Sequence, residues 1–157
     1  MNIHFVVLGQ SAPQGSKRHI GRGVLIESSK RTKPWREAIV GTLIREELAG
    51  LLIAEPVLVR AHFHFARPKS HLTTKGLLRP SAPTWPTSRA LGDADKHARA
   101  LLDALGSTAG GGLIGDDSQV VGLIVQKRYC RPGVQPHAQV WVSPMPEIPR
   151  PPEEARG

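Results

Sequence analysis

Residues 92 to 117 read GDADKHARALLDALGSTAGGGLIGDD and hold every aspartate of the protein: Asp93, Asp95, Asp103, Asp116 and Asp117. All other acids are glutamates. Carboxylates are hard oxygen donors. Three of them meeting at one place, with no Cys or His ligand set, suit a hard cation such as Mg²⁺. An ion held that way, with Mn²⁺ as a substitute, can clamp a phosphodiester and activate the attacking water. In an extended segment Asp93 and Asp95 point the same way, because side chains alternate. A helix opening at about Lys96 puts Asp95 at or near its N-cap, with Asp93 beside it. Asp116 and Asp117 precede the next strand, and an antiparallel return there brings them back toward the first pair. The plainer alternative is an N-cap with a solvated acid for the first pair and turn chemistry for the second. Asp103, mid-helix, is expected to face solvent or pair with Arg99.

The rest of the chain supplies the opposite charge. Twenty-one Lys and Arg stand against 13 Asp and Glu, a formal net charge of +8, which favours a polyanionic partner, most often nucleic acid. No acid occurs between Pro56 and Gly92, a stretch holding Arg60, Arg67, Lys69, Lys75, Arg79 and Arg89, and Glu27 is the only acid among the first 36 residues. An acidic cluster framed by basic segments is what metal-dependent phosphodiester chemistry requires: carboxylates for the cation, cations for the phosphates.

Other classes fall away. The single Cys130 excludes an internal disulfide framework, fits a reducing compartment, and has no base motif beside it. MNIHFVVLGQ reads as a strand rather than a signal peptide, and no apolar run approaches the ~20 residues that span a bilayer. A soluble, cytoplasmic protein is expected, with no membrane partner.

The elements that must position the acids follow from periodicity. IHFVVLG is apolar and β-branched, a buried strand. SAPQGSKRHIGRG is a basic loop, and VLIES is a short strand closing a hairpin. From Thr32, TKPWREAIVGTLIREELAG reads as a helix with Thr32 as cap and Gly50 as end. PVLVRAHFHFARP alternates, with Val57, Val59, Ala61, Phe63 and Phe65 on one face and Leu58, Arg60, His62 and His64 on the other. Residues 67 to 92 show no period. KHARALLDALG is a helix with Ala98, Leu101, Leu102 and Leu105 inward, ended by Gly106. VVGLIVQKRYC and AQVWVS are strands. Trp35, Trp85 and Trp141 are expected to pack, Trp85 being the one placed to stack on a base. The expected fold is α/β (α+β), a small mixed sheet flanked by helices, over residues 1–142. A proline-rich tail over 143–157 is expected to be disordered.

The segment RPKSHLTTKGLLRPSAPTWPTSRALGDADKHARALLDALGSTAGGGLIGDDSQVVGLIVQK resembles the RusA family of Holliday-junction resolvases of bacteria and their phages. The shared pattern is ordered: an RPKSH-like element (Arg67 to His71), a proline-rich loop, Asp-x-Asp opening a helix with Leu-Asp-Ala-Leu, a Gly-rich turn, Asp-Asp-x-Gln-Val, and a lysine-bearing strand. The resemblance implies Asp93, Asp95 and Asp117 as the essential, metal-holding acids. It implies Arg99 as the basic residue one turn into the helix, and a homodimer acting on four-way DNA junctions in a bacterial cell or phage-infected host. Lys17, Arg18, Lys69 and Lys127 would contact phosphates. Three positions depart from the family: Gly92 for proline, Lys96 for asparagine and Arg99 for lysine. Arginine keeps the charge but grips phosphate as a planar fork. A non-catalytic DNA-binding protein on the same scaffold is the principal alternative. A DxD glycosyltransferase is a remoter one, since the chain is short and has no nucleotide-binding βαβ half.

Overall fold

The computed structural model describes residues 1–15, 17–19, 25–27 and 30–150. Its strands are β1 (Ile3–Leu8), β2 (Lys17–His19), β3 (Leu25–Glu27), β4 (Val57–Phe65), β5 (Val120–Tyr129) and β6 (His137–Pro144). Helix α1 (Thr32–Arg45) lies between β3 and β4, and α2 (Ala94–Leu105) between β4 and β5. Four strands form a mixed sheet in the order β1-β6-β4-β5, with β4 and β5 parallel and the other pairs antiparallel. This is the expected small mixed sheet with helices. No helix among the described residues is long and apolar enough to cross a membrane.

Period-two patterning decides which side of the sheet is covered. Val57, Val59, Ala61, Phe63 and Phe65 are fully buried, in the alternation read from β4. Ile3, Phe5 and Val7 on β1 and Ala138, Val140 and Val142 on β6 join the same core, which α1 and α2 close with Ile39, Leu43, Leu101 and Leu105. On α2, Ala98, Leu101 and Leu105 are buried as expected, Leu102 is only half-buried, and His97, Ala100 and Ala104 are buried as well. Alanines at these positions let α2 approach both the sheet and α1 closely.

Among the described residues, the opposite face of the sheet carries no helix. Across it the register sets side chains in rows: His4, Trp141, Arg60 and Ile124; Val6, Gln139, His62 and Gln126; Leu8, His137, His64 and Arg128. Within these rows the rings of His64 and His137 stack at 4.4 Å.

Three local expectations are corrected. Thr32 does not cap α1; it is the first helical residue, buried, and its hydroxyl donates to the Pro13 carbonyl at 2.9 Å. The helix ends at Arg45 rather than Gly50, because the N–H groups of Leu48 and Ala49 both return to the Leu43 carbonyl and Glu47 takes φ +57°. Within the expected VLIES strand, Leu25–Glu27 pair as β3 with β2 in a separate two-stranded sheet, so part of the expected basic loop is extended. The side chains of β2 and β3 and residues 151–157 of the tail lie outside the described residues.

Histidine titration should register in the stability of this sheet. Burial, and then the neighbouring charges of His137, Arg128 and His62, lower the His64 pKa to about 4, and its Nε2 is buried without a hydrogen-bond partner among the described residues. The unfolded chain takes that proton near 6.5, so the contribution is complete above about pH 6.5 and declines as pH falls toward 4. Thermal unfolding between pH 7.5 and 4.5 should show a falling melting temperature, with a shallower slope in His64→Gln. A slope unaltered by that change would remove His64 from the account.

Candidate functional site

Helix α2 opens earlier than its sequence suggests. Asp93 is the N-cap, in extended backbone (φ −85°, ψ 149°), and Asp95 already lies in the first turn. The expectation that both carboxylates share one side of an extended segment therefore fails, because Ala94, a strong helix former, begins the helix. The Asp93 side chain makes no capping bond. It is 72% exposed and sits 3.7 Å from the Lys96 ammonium, which is 40% exposed. An ion pair so open to water contributes little to stability. Asp95 and Arg99 are also exposed. Negative charge at this end of a helix is favourable in itself, since the free N–H groups present partial positive charge.

The loop leading into Asp93 is held from three directions. His97 is fully buried between Phe63 and Phe65, with ring centroids at 5.4 and 5.1 Å. Its Nε2 lies 2.5 Å from the Leu91 carbonyl, and its Nδ1 lies 2.7 Å from Ser11 Oγ. A carbonyl only accepts, so Nε2 carries the proton and the Ser11 hydroxyl donates to Nδ1. Burial lowers the His97 pKa, in keeping with a neutral ring. Lys127, on the helix-covered side of β5, donates from Nζ to the Gly92 carbonyl at 2.9 Å. The Gln14 N–H donates to the Lys96 carbonyl at 3.0 Å, joining the segment after β1 to α2. His97 is thus the residue that organises the approach to Asp93. An imidazole amid alanine and leucine on a helix face was its one sequence signal.

Gly92 takes a conformation that proline could not. Its φ of +82° with ψ of 170° is closed to proline, whose ring holds φ near −65°. A Cβ here would also lie 2.7 Å from Pro13 Cγ.

Asp116 and Asp117 lie at the other end of α2. Asp117 lines an open cavity of about 340 Å³ together with Asp103, Gly106, Ser107, Arg36 and Gln14. Asp93 instead borders a separate hollow with Pro13, Arg89, Gly92 and Lys96. The expected antiparallel return does not occur. Strand β5 runs parallel to β4, and its eighth residue, Lys127, reaches the Asp93 end roughly 23 Å along the strand from Val120. Helix α2, twelve residues and roughly 18 Å long, has Asp93 and Asp95 at its start and is followed by Asp116 and Asp117 beyond its end. Accordingly, no three His, Cys, Asp or Glu side chains among the described residues converge to hold a metal ion within one chain.

The two members of the second pair differ. Asp116 closes a capping box: its carboxylate accepts from the Ser118 N–H at 2.8 Å, while Gln119 Oε1 accepts from the Asp116 N–H at 2.8 Å. The Ser118 side chain, and after it the Ser118 N–H, lower the Asp116 pKa. Asp117 is exposed and makes no ion pair among the described residues, so it is the member open to a ligand. Asp103 pairs with Arg36 of α1 at 3.8 Å rather than with Arg99 or with water alone, because α1 packs alongside this turn of α2.

Among the basic candidates, Lys69 is exposed on a short 3₁₀ turn, Lys69–His71. Its neighbours are committed elsewhere: Arg67 lies over the Tyr129 ring at 4.3 Å, and His71 meets the same ring edge-on. Lys17 and Arg18 belong to β2, and their side chains fall outside the described residues. Trp35 is buried, Trp85 is 54% exposed, and Trp141 sits on the uncovered sheet face. Cys130 is buried with its thiol pKa raised by burial, which matches an inert residue.

Substituting Gly92→Ala should lower stability by about 1–3 kcal/mol, since this backbone region is almost closed to side chains. Urea unfolding measures it; a loss below a few tenths would mean the loop relaxes without strain.

A search of curated proteins found no match. The family model described as endodeoxyribonuclease RusA matches residues 9–137, which span β2 to β5 and both acidic pairs. The chain belongs to the RusA endodeoxyribonuclease family.

Proposed function

We propose that this chain is a Mg²⁺-dependent endodeoxyribonuclease that resolves four-way DNA junctions as a homodimer, each cation site being assembled from two subunits. The observation that carries the reading is the separation of Asp93 and Asp95 from Asp117 along α2, combined with the position of β5. That strand is an edge of the sheet, and it exposes Val121 (58%), Leu123 (44%) and Ile124 (41%). A long edge with apolar side chains invites pairing with another strand. If two copies of β5 pair antiparallel about a two-fold axis, the Asp117 end of each strand meets the Lys127 end of the other. There Gly92, Asp93 and Asp95 stand, and both sites are completed at once.

The donor chemistry fits a hard cation: Asp93, Asp95 and Asp117 are all exposed carboxylates, and none is locked in a cap bond as Asp116 is. Bound there, Mg²⁺ supplies charge neutralisation at the phosphodiester and activation of the attacking water. The chain's own part is positional. His97 and Lys127 fix the carbonyls of Leu91 and Gly92, and so hold Asp93 at the helix start. Arg99 and Lys69 stand exposed to bind phosphate. A two-fold dimer then matches the symmetry of a four-way junction, one site for each of two cuts.

The second reading, a protein that binds junctions without cutting them, draws on the Asp93–Lys96 ion pair, which sets a cation of the chain's own beside one proposed ligand. Cleavage of a synthetic four-way junction and of a linear duplex, with Mg²⁺ or EDTA, separates the two. Paired nicks specific to the junction, dependent on Mg²⁺ and abolished in Asp95→Asn, are expected. Tight binding with no cut by wild type would favour the second reading. Mixing Asp93→Asn with Asp117→Asn tests the shared site. Each is inactive alone, and a mixed dimer keeps one intact site and nicks one strand. No recovery on mixing would place all three acids in one subunit.

A further inference from the structure

We propose that the uncovered face of the four-stranded sheet is a second DNA contact, one that takes an unpaired nucleotide in a groove between Trp141 and Arg60. The proposal rests on the DNA substrate proposed above, but it concerns residues on the side of the sheet away from the acids. The groove, of about 250 Å³, lies where β1, β6 and β4 meet, and Asn2, Leu58, Arg60, Trp141 and Ser143 line it. That is room for one nucleobase, with an apolar floor, an aromatic wall, a guanidinium and polar groups at its rim.

The aromatic wall is set in place. The Trp141 indole stacks on the His4 ring at 4.8 Å with planes 21° apart, and the His62 ring meets it edge-on at 5.0 Å. An indole already held by neighbours loses little conformational freedom when a base stacks on it. Arg60, its cross-strand neighbour, is exposed and makes no ion pair among the described residues. Two rows along, Arg128 is oriented by Gln126, whose Oε1 accepts from Nε at 2.9 Å and from Nη2 at 2.6 Å.

Charge selects the occupant. The register rows of this face contain no Asp or Glu, while every acid the mechanism uses lies on the helix side. Rows that hold two arginines and no acid among the described residues complement a phosphate backbone. Stacking then favours single-stranded over paired DNA, because only an unpaired base can offer its π-face to the indole. A junction held open at its crossover, or the strand freed by a nick, would present such bases.

Fluorescence anisotropy with labelled oligo-dT and with a blunt duplex of equal length, in EDTA so that nothing is cut, tests this directly. Trp141→Leu should weaken oligo-dT binding about tenfold, as loss of one stacked base does elsewhere, with a smaller change on the duplex. Trp141→Phe should keep most of the affinity. Arg60→Gln, an exposed site where folding is not at stake, should reduce the salt slope on single strands by about 0.7, the share of one phosphate. No measurable oligo-dT binding by wild type, equal losses on both DNAs, or affinity unaltered in both Trp141→Leu and Arg60→Gln would each overturn the proposal. So would sedimentation showing that Trp141→Leu dissociates the wild-type dimer, since a second copy would then occupy this face. Junction cleavage by a wild type that fails these tests would leave the resolvase reading standing and remove this site alone.

Discussion

A buried imidazole joins three stretches of chain that are far apart in sequence. His97 belongs to α2, accepts at Nδ1 from Ser11 in the segment after β1, and donates at Nε2 to Leu91 in the loop after β4. Phe63 and Phe65 enclose its ring, so a charged form would lose more solvation than the Leu91 carbonyl and the Asp93 charge restore. The ring therefore serves as a neutral crosspiece. Lys127 adds a second tie one residue on, at the Gly92 carbonyl. Between them these bonds settle where the backbone turns from the long loop into α2, and hence where Asp93 and Asp95 face solvent. Gly92 is the residue able to take the turn, since its φ is positive and Pro13 occupies the space where a side chain would go.

Topology then divides the acids. A parallel β4–β5 pair needs a crossover, and α2 is that crossover. A helix that spans the sheet puts its own N-terminus and the start of the strand that follows it at opposite ends of the sheet. The same parallel arrangement leaves β5 at an edge with three exposed apolar residues. One topology thus both separates the two acidic pairs and leaves an apolar strand edge open.

The sheet separates the protein into two chemically different sides. On the helix side lie all five aspartates, the cavity beside Asp117, and the clamp around Gly92. On the other side lie histidines, Trp141, Arg60 and Arg128, with no carboxylate in their rows. The first side thus presents carboxylates, and the second presents guanidinium groups and aromatic rings.

Much of this was legible in the residues alone. The alternation in β4, the stop at Gly106, the mixed α/β class and the crowding of aspartates amid basic segments are local properties, set by side-chain period, backbone preference and charge. Even the distinction between Asp116 and Asp117 has a local cause, a capping box within four residues. Other features needed the folded chain. Period-two patterning tells which side chains share a face, but not whether a neighbouring strand runs parallel or antiparallel; that direction moved Asp117 to the far end of α2. The helix start at Ala94, the burial of His97 and the Lys127–Gly92 bond likewise depend on contacts from Ser11 to Lys127. Sequence by itself marked which residue types could do chemistry and how they are spaced along the chain. Tertiary structure decided which of them stand together, because strand direction and long-range hydrogen bonds are set by packing between segments that no local pattern relates.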